Sequence, residues 1–150
     1  MDYEMQIETL QPTATAVVTA TLPVAGIGPF VGEAFGLVMQ ALQAQHAFPV
    51  GPPFARYRMH GDTFEVSAGF PVAAPITAAD RVVPASLPGG QVASTVHLGA
   101  YDEVSRAYDA ILAWLPTQHL APAGDPWEQY LDGPEVAQPR TLVHLPVAPA

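Results

Sequence analysis

The sequence predicts an α+β fold, with two pseudo-symmetric β-β-α-β-β halves, antiparallel sheet and a central ligand cleft. The first observation is that each half holds one apolar stripe of helical period, set between segments that alternate as strands do. The second is a recurrence of residue types at one constant distance. Four positions of the first half, Gly51, Pro53, Phe54 and Tyr57, reappear 73 residues later as Gly124, Pro126, Trp127 and Tyr130.

Length and composition indicate one folded domain over residues 1–150, containing an internal repeat of about 5–73 and 80–148. The chain has 150 residues, of which 49% are hydrophobic and 13% charged, enough apolar surface to form a core. Its 17 prolines fall mostly at the edges of segments, where they act as breakers. We therefore do not expect a disordered chain.

The charge balance excludes one class of partner. Fourteen acidic residues face five arginines and no lysine, for a formal net charge of −9. A protein of this charge repels polyanions, so we expect no direct nucleic-acid binding. Its field attracts cationic small molecules, although the same charge could serve only to keep the protein soluble.

Targeting and metal signals are weak. The acidic start of the chain lacks the basic region of a signal peptide, and three prolines interrupt the uncharged residues 9–32. We therefore expect a cytoplasmic protein with no membrane partner. The chain has no cysteine, and its five histidines show neither HxH nor HxxxH spacing, so we expect no metal and no cofactor. His46 and His119, also 73 apart, are interpreted as equivalent helix-end residues.

The first half is assigned in chain order. Met5 to Leu10 alternates as a strand, and Ala14 to Leu22, rich in Thr and Val, is expected to pair with it. Gly26 to Pro29 breaks this pattern, with Pro29 in the first turn of a helix. The remaining predicted elements are a helix of about 30–45 with Phe35, Val38, Met39 and Leu42 on one face, and strands 55–59 and 63–70 around a His60-Gly61-Asp62 turn.

The second half repeats the order. Segments 81–87 and 91–98 flank Pro88-Gly89-Gly90 and predict a hairpin. Asp102 and Glu103 favour a helix start, and Pro116 is expected to end or kink that helix. The apolar stripe of the helix is Val104, Ala107, Tyr108, Ile111 and Leu115 with Trp114 at its edge, and strands 127–131 and 140–145, separated by Asp132-Gly133-Pro134, close the half.

Three segments resemble the GyrI-like small-molecule-binding family, which includes the effector-binding domains of AraC-type and multidrug-responsive transcription activators. They are residues 107–115, the Trp127-Glu128-Gln129-Tyr130-Leu131 motif and the closing 145–147. The resemblance covers nearly the whole chain and implies two α+β half-domains around a hydrophobic cleft for bulky, often cationic aromatic compounds. It also implies a glutamate at the floor, which matches Glu128. Because the sequence shows no helix-turn-helix segment, we do not expect this polypeptide alone to control transcription.

Glu128 is the main site prediction. A carboxylate among aromatic residues fits an apolar cation, whereas an exposed Glu on an edge strand is the alternative. Met adapts to varied ligand shapes, but Phe35 and Met39 could equally be core residues. The predicted walls of the site are Trp127, Trp114, Phe54, Tyr57, Phe70, Phe35 and Met39.

Three functions remain open at this point. The first is a non-enzymatic module that sequesters or senses bulky hydrophobic cations. The resemblance also implies a second, a hydrolase of cyclopropane-bearing alkylating natural products, with Glu128 as general base assisted by a tyrosine such as Tyr57. The third is a protein-interaction module that inhibits a partner such as gyrase. The natural ligand and the oligomeric state stay open.

Overall fold

A computed structural model describes residues 3–133 and 135–150. The chain divides into two compact units, each with antiparallel strands and one α-helix, so the predicted α+β class is confirmed. We call Gln11–Gly89 the first unit and Met1–Leu10 together with Gly90–Ala150 the second unit. Pro134, in the predicted turn after residue 131, lies outside the described residues.

The sheet of the first unit has the strand order β5-β2-β4-β3. Strands β3 and β4 form the predicted hairpin, with His60 paired to Thr63 across a two-residue loop. Gly61 in that loop has φ +68°, which glycine adopts without strain. The strands are β2 (Thr13–Leu22), β3 (Phe54–His60), β4 (Thr63–Pro71) and β5 (Val83–Leu87).

Helix α1 spans Val24–Ala44, so the predicted start near residue 30 is wrong. Pro29 lies inside the helix, and the glycines before it do not interrupt the helix. A proline near a helix N-terminus removes only one early hydrogen bond, which is why the helix tolerates it. The buried stripe is Phe30, Ala34, Val38 and Leu42, and the side chains of Phe35 and Met39 are half-buried beside it.

Helix α1 is also long and apolar enough to cross a membrane by length and composition, the one such helix among the described residues. A single helix of this kind is weak evidence, because a core helix of a globular protein passes the same test. Its buried stripe lies on strands β2 and β4 of the first unit. The structure therefore gives this helix a packing role on the sheet.

The sheet of the second unit has the strand order β1-β6-β9-β8, and β7 pairs with the last residues of β9. Helix α2 (Ser105–Trp114) follows a 3₁₀ turn at Tyr101–Glu103 and ends in a second 3₁₀ turn that contains Pro116, as predicted. The strands are β1 (Gln6–Leu10), β6 (Gly90–Leu98), β7 (Leu120–Pro122), β8 (Trp127–Tyr130) and β9 (Arg140–Pro149).

Two predicted strand pairings are wrong. Strand β1 pairs with β6 and not with β2, and β5 pairs with β2 and not with β6. Residues 88–90 therefore connect the two units instead of closing a hairpin. An alternating strand fits any antiparallel partner whose apolar face matches, so short loops alone do not decide which strands pair.

The core of the second unit is formed between α2 and one face of the sheet. Its buried members on the helix side are Ala107, Ile111 and Leu115, three residues of the predicted stripe. Val104, Tyr108 and Trp114 pack against this cluster while remaining half-buried. The sheet side contributes Ala93, Val143, Leu145 and Val147.

The two histidines predicted as helix-end residues have the same backbone conformation. His46 follows α1 with φ 56°, and His119 follows the turn after α2 with φ 58°. Both positive φ values place the residue in the left-handed region that terminates helices. The helix-end interpretation is confirmed.

Candidate functional site

Glu128 lies on β8 with its side chain buried, 7% exposed, and the alternative of an exposed edge residue is wrong. It pairs with Val143 of β9, whose side chain belongs to the core under α2. Directly paired residues of an antiparallel sheet point to the same face. The carboxylate is therefore on the helix-covered face of the second unit.

Two tyrosine hydroxyls donate hydrogen bonds to this carboxylate. Tyr108 Oη on α2 lies 2.7 Å from Glu128 Oε2, and Tyr130 Oη lies 3.0 Å from Glu128 Oε1. Burial raises the pKa of Glu128, while the two hydroxyls and the nearby His97 partly oppose that rise. Each carboxylate oxygen thus has one donor, and burial dominates the electrostatics.

Within residues 3–133 and 135–150, the charged group that acts on the pKa of Glu128 is His97, and no arginine contributes to that pKa. Arginines do pair with other, more exposed carboxylates in both units, as at Arg81 with Glu33 and Arg140 with Asp132. A buried negative charge without an ion-pair partner is costly, so burial favours the neutral form of this carboxyl.

A row of polar side chains crosses the sheet next to Glu128. His97 on β6 pairs with Thr141 on β9, and Thr141 pairs with Tyr130 on β8. His97 Nε2 contacts the carbonyl of Ala100 at 3.0 Å, and its Nδ1 contacts Tyr3 Oη at 2.9 Å. Since a carbonyl only accepts, Nε2 carries the proton, and in the neutral ring Nδ1 accepts from Tyr3.

Tyr101 lies at the outer side of this row. Its ring packs edge-on against that of Tyr130, with centroids 5.8 Å apart, and its hydroxyl donates to the carbonyl of Asp132 at 2.8 Å. The Asp132 carboxylate is in turn held by Arg140 through both side chain and backbone. Burial, and the negative charges of Glu135 and Asp132, raise the pKa of Tyr101. Tyr130 thus lies between the Tyr101 ring and the Glu128 carboxylate, with a contact to each.

Trp127 is next to Glu128 in sequence but lies on the opposite face of the sheet. It pairs with His144, and the two rings are 5.1 Å apart and tilted. His144 Nε2 also contacts Gln129 Oε1 at 3.0 Å. Trp114 is the other predicted wall residue in this unit, and its side chain packs at the edge of the α2 core.

The remaining predicted wall residues belong to the first unit. Phe54 on β3 is buried, whereas Tyr57, Phe70, Phe35 and Met39 are half-buried. The rings of Phe35 on α1 and Phe70 on β4 lie 5.7 Å apart at a tilted angle. The structure therefore brings together one aromatic pair of the predicted set in this unit.

Several polar residues of the site were not predicted. Tyr108 was assigned to the apolar helix stripe, and Tyr3, His97, Tyr101 and Thr141 carried no assignment. The usable signal was the number of tyrosines: four of the five in the chain, at positions 3, 101, 108 and 130, belong to the second unit. Within the described ranges, no group of three or more metal-ligating side chains occurs.

The comparisons with known proteins show the family and the fold of this chain. The model of the GyrI-like small molecule binding domain matches residues 3–148. Among curated proteins, no sequence matches this chain. The solved structures described next are below 25% identity to this chain and so show a shared fold.

The C-terminal domain of EcmrR is 18% identical, with TM-score 0.76, and each chain is fully covered. In an EcmrR–DNA complex, the identity is 15% and the TM-score 0.83, covering 99% of this chain but only 58% of that one. SAV2435 bound to tetraphenylphosphonium is 15% identical, with TM-score 0.66 and coverage of 99% and 94%. A hydrolase from Listeria innocua is 14% identical, with TM-score 0.70 and coverage of 97% and 92%.

Proposed function

Because the chain belongs to the GyrI-like small-molecule-binding family, we propose that it binds bulky hydrophobic, cationic aromatic molecules at Glu128, for sequestration or sensing. The observation that carries the proposal is a carboxylate that is 7% exposed and held by two tyrosine hydroxyls. We place this activity in the cytoplasm, without direct nucleic-acid binding.

The chemistry of the carboxylate selects the ligand class. A compact ammonium ion loses strong hydration when buried, whereas a delocalised aromatic cation is weakly hydrated and gains the full attraction of a charge in a low-dielectric site. Each aromatic face adds about 0.5–2 kcal/mol of cation–π attraction. Tyr108 and Tyr130 supply such rings beside Glu128, and Tyr101 packs against Tyr130. Trp127, Trp114, Phe54, Tyr57, Phe70, Phe35 and Met39 remain proposed wall residues.

Tetraphenylphosphonium is the probe that tests this function, since SAV2435 has been solved with it. We expect binding by calorimetry, and an affinity loss on the order of tenfold or more for Glu128→Gln, which keeps the shape but removes the charge. Glu33→Gln is the matched control, because Glu33 is exposed and pairs with Arg81. Equal affinities for all three proteins would remove Glu128 from the site.

The same test has a pH arm. The pKa of Glu128 lies above its ordinary value of 4.5, so the carboxyl is protonated and neutral at acid pH. Affinity for tetraphenylphosphonium should rise as pH increases through that raised pKa and then level off. The Glu128→Gln protein should show no such rise, and an identical pH profile in both proteins would contradict the assignment.

A hydrolase is the second candidate, and the observation in its favour is a carboxyl of raised pKa beside two tyrosine hydroxyls. Such a group can accept a proton from water at neutral pH as general base, while a tyrosine donates to the leaving group. Incubation with a cyclopropane-bearing alkylator, followed by mass spectrometry for a water adduct, tests this. Cation binding without an adduct would support binding alone. The absence of both cation binding and an adduct would favour the protein-interaction function.

A further inference from the structure

We infer that the Glu128 site contains a hydrogen-bonding subsite at Thr141, so that its natural ligands carry a hydroxyl or carbonyl group as well as a positive charge. This inference rests on the function proposed above and specifies its ligand class. It does not depend on which of the candidate wall residues contact the ligand.

The side chain of Thr141 is fully buried and has no hydrogen-bond partner among residues 3–133 and 135–150. Its neighbours in the row are engaged: His97 contacts Tyr3 and Ala100, and the Tyr130 hydroxyl donates to Glu128. An unpaired buried hydroxyl costs free energy, so most such groups are paired in folded proteins. Thr141 Oγ1 therefore has an unused donor and acceptor capacity that a ligand could satisfy.

The alternative is that Thr141 is simply a β-branched residue of the sheet core. Val143 tests that alternative, because it occupies the next position of β9 on the same face and is also fully buried. The face thus accepts valine, which has the same shape as threonine and no polar atom. Packing alone would favour valine at position 141, and the hydroxyl needs a separate reason.

The register fixes the spacing of the two polar groups. Thr141 lies opposite Tyr130, and Glu128 lies two residues before Tyr130 on the same strand, so Glu128 and Thr141 are diagonal neighbours. Diagonal neighbours on one face are about 7–8 Å apart. A ligand that pairs its charge with Glu128 can place a hydroxyl or carbonyl at Thr141 if the two groups are separated by a similar length.

Tyr130 is a neighbour of both groups. It lies opposite Thr141 on the sheet, and its hydroxyl donates to Glu128. A ligand that contacts both groups is therefore expected to contact or displace this side chain.

The experiment compares two tetraphenylphosphonium derivatives of equal charge and nearly equal size, one with a para-hydroxymethyl group and one with a para-ethyl group. In the natural protein, the hydroxymethyl compound should bind about fivefold to tenfold more tightly than the ethyl compound, the effect of one buried hydrogen bond. In Thr141→Val, this preference should disappear. In Thr141→Ser, which keeps the hydroxyl, it should remain.

The outcomes separate the two proposals. If tetraphenylphosphonium binds and requires Glu128, but the ratio of the two derivatives is equal in the natural protein and in Thr141→Val, the subsite is disproved and the function stands. If tetraphenylphosphonium binds equally well to Glu128→Gln, the proposed function fails. Thr141→Val should unfold at the same or a higher temperature than the natural protein, and a lower value would show that the hydroxyl has a structural partner and would overturn the inference.

Discussion

Tyr108 on helix α2 donates a 2.7 Å hydrogen bond to Glu128 on strand β8, and this contact joins the helix to the buried carboxylate. The same helix contributes Ile111, one turn later, to the core beneath. Helix α2 therefore contributes both to the packing around the carboxylate and to its charge state. The packing that holds α2 on the sheet also places the tyrosine that stabilises the ionised form of Glu128.

Removal of the Tyr108 hydroxyl should change the titration of Glu128. The bond lowers the pKa of Glu128 against the larger effect of burial, so Tyr108→Phe should raise that pKa further. The rise of tetraphenylphosphonium affinity with pH should then move to higher pH. Calorimetric titrations over a pH series measure the midpoint in both proteins.

Tyr101→Phe is the matched control for that experiment. It also removes one tyrosine hydroxyl from the second unit, but this hydroxyl donates to the Asp132 carbonyl and not to Glu128. The midpoint should stay where it is in the natural protein. A shift of equal size in both variants would show that the hydrogen bond to Glu128 does not set its titration.

The pH dependence of stability should depend on His144, which lies on the face of the sheet opposite Glu128. Burial lowers the pKa of His144 below its ordinary value of 6.5, and Glu8 only partly opposes this. Because the folded state binds this proton less readily than the unfolded state, His144 contributes stability above about pH 6.5 that is lost as pH falls toward the lowered pKa. His144→Gln should therefore flatten the acid side of the stability profile, measured by urea unfolding.

His60→Gln serves as the comparison, since His60 is exposed at the β3–β4 hairpin. This variant measures how much of the change in His144→Gln comes from a histidine-to-glutamine substitution itself. Glu128 acts in the other direction, because a raised carboxyl pKa stabilises the folded state below 4.5 and this contribution is lost as pH rises. A profile of His144→Gln that parallels the natural one would contradict the assignment.

The sequence predicted most elements because their apolar periods are local. The stripe of α2 and the hairpin at Gly61 both follow from spacing within about ten residues. The pairing of β1 with β6 and of β5 with β2 does not follow from such local spacing, since it depends on which distant strand offers a matching face. Local rules favour the nearest strand, and here the nearest strand is not the partner.

The site shows the same limit. Glu128 was predicted as a site residue because a single acidic residue within an aromatic motif is recognisable from the sequence alone. The contact of Tyr108 with Glu128 could not be predicted, because a helical stripe shows which face of the helix is buried but not which group a tyrosine hydroxyl on that face contacts. The position of Thr141 could not be predicted for a related reason. Threonine is common in strands, and only the strand register shows that this one lies opposite Tyr130.

Truncation of the α2 core should separate buried from exposed positions on one helix. Ile111 is fully buried in the core of the second unit, and Ile111→Ala should lower the free energy of unfolding by about 2–5 kcal/mol. Leu112 is the next residue and is 47% exposed, so Leu112→Ala should cost less than about 1 kcal/mol. Urea denaturation followed by tryptophan fluorescence measures both, and equal losses would contradict the packing.

Two glycines of the first unit should respond to alanine in opposite directions. A Cβ on Gly69 would overlap the backbone carbonyl oxygen of Ala16 on the neighbouring strand, a contact that only movement of β2 or β4 could relieve. Gly36 lies on the exposed side of α1, where an added Cβ meets nothing within 4 Å. Alanine in a helix is favoured over glycine by about 0.5–1 kcal/mol. Gly36→Ala should therefore raise the free energy of unfolding by about that amount, whereas Gly69→Ala should lower it by several times as much, as measured by urea denaturation. Similar effects of the two substitutions would show that β2 and β4 are farther apart at this position than the structure indicates.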